Sequence, residues 1–157
     1  MKKIFEKIFS MSLHPFLFAI YPILFLYAHN VREVAIDRTF FPLAIATGST
    51  FIFWLALAFA LKDRIKAGFI ATILVIIFYS YGYIFDALFD WNLFVVKHRY
   101  LVPIILYLGG YAAYFISKIR RQDLKENLNV ILNIMAITLF ALNLAQIASH
   151  QISIKKM

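Results

Sequence analysis

Two aspartates four residues apart, Asp86 and Asp90, are the first pair in this sequence able to do chemistry. On a helix they share a face, and paired carboxylates do acid–base work when burial or proximity drives their protonation equilibria apart. On a solvated helix end the same pair only carries charge. Three of the four histidines, His29, His98 and His150, sit at the ends of apolar runs. Imidazole ligates zinc and copper, and a facing pair can hold a haem. Histidines at a membrane interface that bind nothing have the same placement, so neither a metal nor a cofactor is expected. His98 and Arg99 follow Lys97, a grouping that grips a phosphate-bearing headgroup through charge-assisted hydrogen bonds. The first candidate set, a polar cluster, is therefore His29, Arg32, Glu33, Asp86, Asp90, His98 and Arg99. The second is a row of amides, Asn129, Asn133, Asn143 and Gln146, sharing one helix face. Such a row bonds between helices or lines a polar path. No phosphate loop, nucleophile elbow or zincin motif is present, and the absence of cysteine removes thiol and disulfide chemistry.

The elements that must position these residues belong to a membrane protein. The chain has 157 residues, 63% hydrophobic and only 15% charged, with a mean hydropathy of +0.80. A soluble domain of this size is nearer half apolar and about a quarter charged. The charges fall in short clusters between long apolar blocks, which predicts an all-α, polytopic bundle of five transmembrane helices. The net charge of +8 sits at the ends of apolar runs, so it reads as loop charge meeting lipid headgroups, not nucleic acid.

Residues 1–11 pair Lys2, Lys3 and Lys7 against Ile4, Phe5, Ile8 and Phe9, the pattern of an interfacial amphipathic helix. Five spans make up the membrane domain 12–148: 12–28, 40–61, 67–85, 100–117 and 128–148. Pro22 should kink the first. Thr47-Gly48-Ser49-Thr50 gives the second a small, weakly polar patch suited to close packing. The third surfaces through the tyrosines of Tyr79-Ser80-Tyr81-Gly82-Tyr83 to Asp86, since a tyrosine ring suits the boundary between lipid and water. Leu93-Phe94-Val95-Val96 should rest in the interface with Trp91 as anchor. Pro103 opens the fourth span, where Gly109 and Ala113 form a small-xxx-small pair. Residues 118–127 form a charged loop and 149–157 an outer tail.

Five spans place the termini on opposite faces. With the N-terminus inside, ten of the sixteen Lys and Arg lie on the inner side and six on the outer. Cationic residues are retained in the cytoplasm, so N-in, C-out is expected. The polar cluster then gathers on the outer face, with His150 at the end of the fifth span.

His14-Pro15-Phe16-Leu17-Phe18-Ala19-Ile20-Tyr21-Pro22 through His29-Asn30 resembles the opening span of bacterial sulfatase-like membrane proteins. Leu61-Lys62-Asp63-Arg64, Phe78-Tyr79-Ser80-Tyr81-Gly82, His98-Arg99-Tyr100-Leu101-Val102-Pro103 and Leu128-Asn129-Val130 continue the likeness over nearly the whole chain. The resemblance implies a five-helix module of the alkaline phosphatase superfamily, distantly like that of lipoteichoic acid synthases, which precedes an outward catalytic domain. This sequence lacks that domain's metal-binding Asp/His set and its nucleophilic Thr or Ser. The expected function is a non-catalytic membrane module that anchors or assembles an envelope complex and contacts lipid-linked or phosphate-bearing substrates. A small transporter or lipid-handling protein is the alternative. Expected partners are membrane lipids and either another protein or a second copy of the chain, in a bacterial inner membrane.

Overall fold

A computed structural model describes residues 11–91 and 97–155, with side chains to residue 150. Five helices account for nearly all of it: α1 (His14–His29), α2 (Asp37–Leu61), α3 (Arg64–Asp90), α4 (His98–Lys118) and α5 (Gln122–Lys155). The architecture is all-α. Helices α2 to α5 are long and apolar enough to cross a membrane, and α1 is a shorter apolar helix of 16 residues.

Helices α2 and α3 form a hairpin with the tightest possible link. Lys62 ends α2 in the left-handed conformation, with φ of 53°. Asp63 then caps α3, its Oδ1 accepting the N–H groups of Ile65 and Lys66 at 3.1 Å each. Two otherwise unpaired donors of the first turn are thereby satisfied. Helix α3 is the hub, in contact with α1, α2, α4 and α5. Helix α1 packs along α5 most extensively, and also on α2 and α3. Ser12 bonds near the start of α5 and Tyr21 further along it, so α1 and α5 run parallel.

The buried core is made largely of small side chains: Ala19, Ala28, Ala67, Ala71 and Ala136 are all at most 2% exposed. Large apolar groups point outward, Phe59 at 86% exposure and Phe41 and Phe78 at 74%. In water this arrangement would be inverted. In a bilayer lipid tails solvate the outside, and small residues let helix backbones approach. Gly68 shows the closest approach: a Cβ there would stand 2.7 Å from the Cβ of Ser12. A Cβ at Gly109 would meet Ile77 and Leu74 of α3, so this member of the small pair expected on α4 lies at a helix contact.

Several helices run past the expected span limits. Helix α3 continues through the tyrosines and Asp86 to Asp90, because no residue there breaks the hydrogen-bond ladder. Pro103 lies in the second turn of α4, since that helix starts at His98. Most of the charged stretch 118–127 is helical: α5 starts at Gln122, with Asp123 in its positive first turn and Gln122 bonded to Glu126 at 2.6 Å. The tail is helical through Lys155. Helix α1 runs continuously through Pro22. The interfacial segment expected over 1–11 falls, except for Met11, outside the described residues, as does Leu93-Phe94-Val95-Val96.

Candidate functional site

The amide row is committed to holding α1. Asn129, Asn133 and Asn143 are buried at 1%, 0% and 3% exposure. Asn133 Oδ1 accepts the backbone N–H of both Leu13 and His14 at 3.0 Å, while its Nδ2 donates to the Met11 carbonyl at 2.7 Å. Helix α1 has no side-chain cap of its own, and Asn133 supplies one from another helix. Asn129 Oδ1 accepts the Ser12 hydroxyl at 2.9 Å. Further along, Asn143 Nδ2 donates to the Tyr21 carbonyl, one residue before Pro22, at 3.1 Å. Gln146 is half-buried at the end of the row. In a hydrocarbon medium each of these bonds replaces an unsatisfied polar group.

His14 completes this knot. It is fully buried, hydrogen-bonded through Nδ1 to the Thr72 hydroxyl and stacked on Phe69 at 5.7 Å. A sequence reading sees only a histidine before a proline. Its burial follows from Gly68, whose missing side chain leaves room for Ser12 and His14 against α3.

At the same end of the bundle lies a second set that the sequence did not single out. Asp63 Oδ2 pairs with Lys125 Nζ at 2.6 Å, and Lys66 Nζ donates to the Ser117 carbonyl at 2.7 Å. These contacts tie the start of α3 to the end of α4 and the start of α5. Burial alone pushes the Asp63 carboxyl up. Its bond to Lys125, those from the Lys66 and Ile65 N–H groups, and the lysine charge outweigh burial and hold it below the ordinary value. Exposed Asp123 is likewise held down, first by its 2.8 Å bond from Arg121.

The polar cluster of His29, Arg32, Glu33, Asp86, Asp90, His98 and Arg99 does not converge. His29 bonds through Nδ1 to the carbonyl of Phe25 on its own helix at 2.9 Å. His98 stacks on Phe85 at 4.1 Å and bonds with the Tyr81 hydroxyl at 2.7 Å, so it fastens the start of α4 to α3. Arg99 lies over the Tyr100 ring at 4.8 Å. Arg32, Glu33, Asp86 and Asp90 are exposed. Among the described residues no hydrogen bond or ion pair joins any two of these seven, and no group of three or more His, Asp or Glu could hold a metal.

A lateral hollow of about 750 Å³ opens between α1, α2 and α3. Its floor includes Ala19 and Ala71, and its walls are Ile23, Phe41, Ile45, Phe53, Leu74 and Phe78. The small patch of α2 faces this space: Ser49 and Thr50 line it, while Gly48 has nothing within 4 Å of where a Cβ would stand. Of that patch Thr50 is buried, while Ser49 is exposed toward the hollow. Compared with protein-family profiles, curated proteins and solved structures, the chain finds no match.

Proposed function

We propose that this chain is a non-catalytic membrane module that anchors or assembles an envelope complex by accepting a partner helix along α4. It works in the bacterial inner membrane with its N-terminus inside and C-terminus outside, the orientation favoured by the Lys and Arg asymmetry. The sulfatase-like resemblance suggests that the partner carries an extracytoplasmic domain.

One observation supports this reading most. Helix α4 packs extensively on α3 alone, and its free face carries Tyr107 and Tyr111 at 71% and 53% exposure. Tyr107 is nine residues into the helix, about 13 Å from its start, and so at bilayer depth. A phenol hydroxyl facing hydrocarbon costs on the order of 2–7 kcal/mol unless it is hydrogen-bonded. A second helix would supply acceptors. Gly110, with open space where its Cβ would be, lets that helix come close.

A photo-crosslinking residue placed at Tyr107 or Tyr111 in native membranes tests this. Both positions should give one discrete heavier species, which Leu144 on α5, also exposed, should not. Lipid adducts alone, equal at all three positions, would leave α4 as an ordinary lipid-facing helix and end the proposal.

A further inference from the structure

We infer that the end of the bundle holding Asp63 and Lys125 is a docking surface for anionic phospholipid headgroups, gripped by Lys62, Arg64, Lys118 and Arg120. Charge balance singles this end out. Residues 62–66 and 118–126 carry seven Lys and Arg against three carboxylates. At the other end, residues 30–38, 86–91 and 97–99 carry four against four. The three carboxylates of the basic end are already engaged inside the chain. Asp63 pairs with Lys125 at 2.6 Å, Asp123 with Arg121 at 2.8 Å, and Glu126 accepts the Gln122 amide at 2.6 Å. Lys66 Nζ is committed to the Ser117 carbonyl. Among the described residues no ion pair reaches Lys62, Arg64, Lys118 or Arg120, and all four are exposed. The stretches that carry them adjoin. Lys62 and Arg64 flank Asp63, Lys118 and Arg120 follow Ser117, and the bonds of Lys66 and Lys125 draw these segments together. The result is a surplus of positive charge that attracts anions, and phosphate oxygens accept charge-assisted bonds from both lysine and arginine.

The surroundings select a lipid over a soluble acidic partner. Within one turn of these charges, on the side of the apolar spans, stand exposed Phe59 on α2 and exposed Tyr114 and Phe115 on α4. Acyl chains covering those rings bring their own phosphate level with Lys62 and Lys118. Lys118 is already drawn that way, its Nζ lying 5.1 Å from the centre of the Tyr114 ring. Trp54, a residue type of the membrane interface, donates through Nε1 to the Arg64 carbonyl at 3.2 Å. An amphiphile whose anion is joined to hydrocarbon meets both features, whereas a soluble acidic chain would meet the charges alone. The proposed orientation makes this the inner leaflet. Tyr107, Tyr111 and Gly110 take no part, so this inference and the partner-helix reading fail separately.

The two tryptophans give the test, one at each end of the bundle. Trp54 lies seven residues, or about 10 Å, before the end of α2 at Leu61, and Trp91 follows the last residue of α3. The full chain with Trp91→Phe goes into mixed vesicles of phosphatidylcholine and phosphatidylglycerol, with bromines on the acyl chains of one lipid or the other. Quenching of Trp54 should show phosphatidylglycerol preferred by about fivefold at ~50 mM salt, falling to about even at ~1 M. With Trp54→Phe instead, Trp91 should show no preference. Lys62→Gln, Arg64→Gln, Lys118→Gln and Arg120→Gln together should abolish the preference at Trp54. Equal quenching by the two lipids at Trp54, the same preference at both tryptophans, or a preference that survives the four glutamines would overturn the inference. So would displacement of brominated phosphatidylglycerol by soluble polyglutamate, which would make an acidic protein the occupant. Should the glutamine or Trp54→Phe chain fail to fold, the preference at Trp54 and its loss in salt decide alone.

Discussion

Asn133 shows how much one amide can do inside a bilayer. It accepts two backbone N–H groups at the start of α1 and returns a bond to the Met11 carbonyl. Asn133→Leu keeps the volume and strands those groups, at a cost of about 1–3 kcal/mol. Asn143→Leu removes the single bond to Tyr21 and should cost nearer 0.6 kcal/mol, the usual size of an interhelical contact in a membrane. Thermal unfolding in nanodiscs should rank the two in that order; equal losses would mean that the cap adds nothing. Asp63 yields a pH prediction. Its carboxyl is held below the ordinary value in the folded chain, so its contribution is complete at neutral pH and is lost as pH falls below about 4. Between about pH 6 and 3 the unaltered chain should lose melting temperature more steeply than Asp63→Asn, and parallel curves would contradict the Lys125 pairing. The amide row was readable in the sequence because its spacing alone put Asn129, Asn133 and Asn143 on one face. His14 and the Asp63–Lys125 pair were not. Both depend on helices distant in sequence meeting at one end of the bundle, and no local pattern encodes that.

At the scale of elements, hydropathy located five helices but not their ends. A helix does not stop where its residues become polar. Helix α3 passes Asp86 and α5 begins at Gln122 because backbone bonding and dipole effects continue beyond the apolar window. The tyrosines of α3 are helical residues, and Tyr81 is also the hydrogen-bond partner of His98. Helix α1 is the dependent element. Its 16 residues extend about 24 Å, short of the roughly 30 Å hydrocarbon thickness, and its start is capped from α5. The hollow between α1, α2 and α3 was hidden from the sequence for a related reason. Ala19, Ala46 and Ala71 lie on three different helices, and only the packing of α1, α2 and α3 brings them to one hollow.

The whole molecule is a bundle whose core is thin and whose exterior is apolar, a design that works only with lipid as solvent. The seven polar residues of the His29 and His98 end make no bond with one another among the described residues, while the opposite end is joined through Asp63, Lys125, Lys66 and Ser117. That joined end holds α3, α4 and α5 together. Everything proposed about orientation and partners depends on α1 crossing the membrane along with α2 to α5. The chain contains no cysteine, so single cysteines at Arg32, Lys62, Arg120 and His150 can each be probed in intact cells with an impermeant maleimide. Five crossings with the N-terminus inside require Arg32→Cys and His150→Cys to label at once, and Lys62→Cys and Arg120→Cys only after the membrane is opened. Labelling of position 32 in step with position 62 would contradict the account.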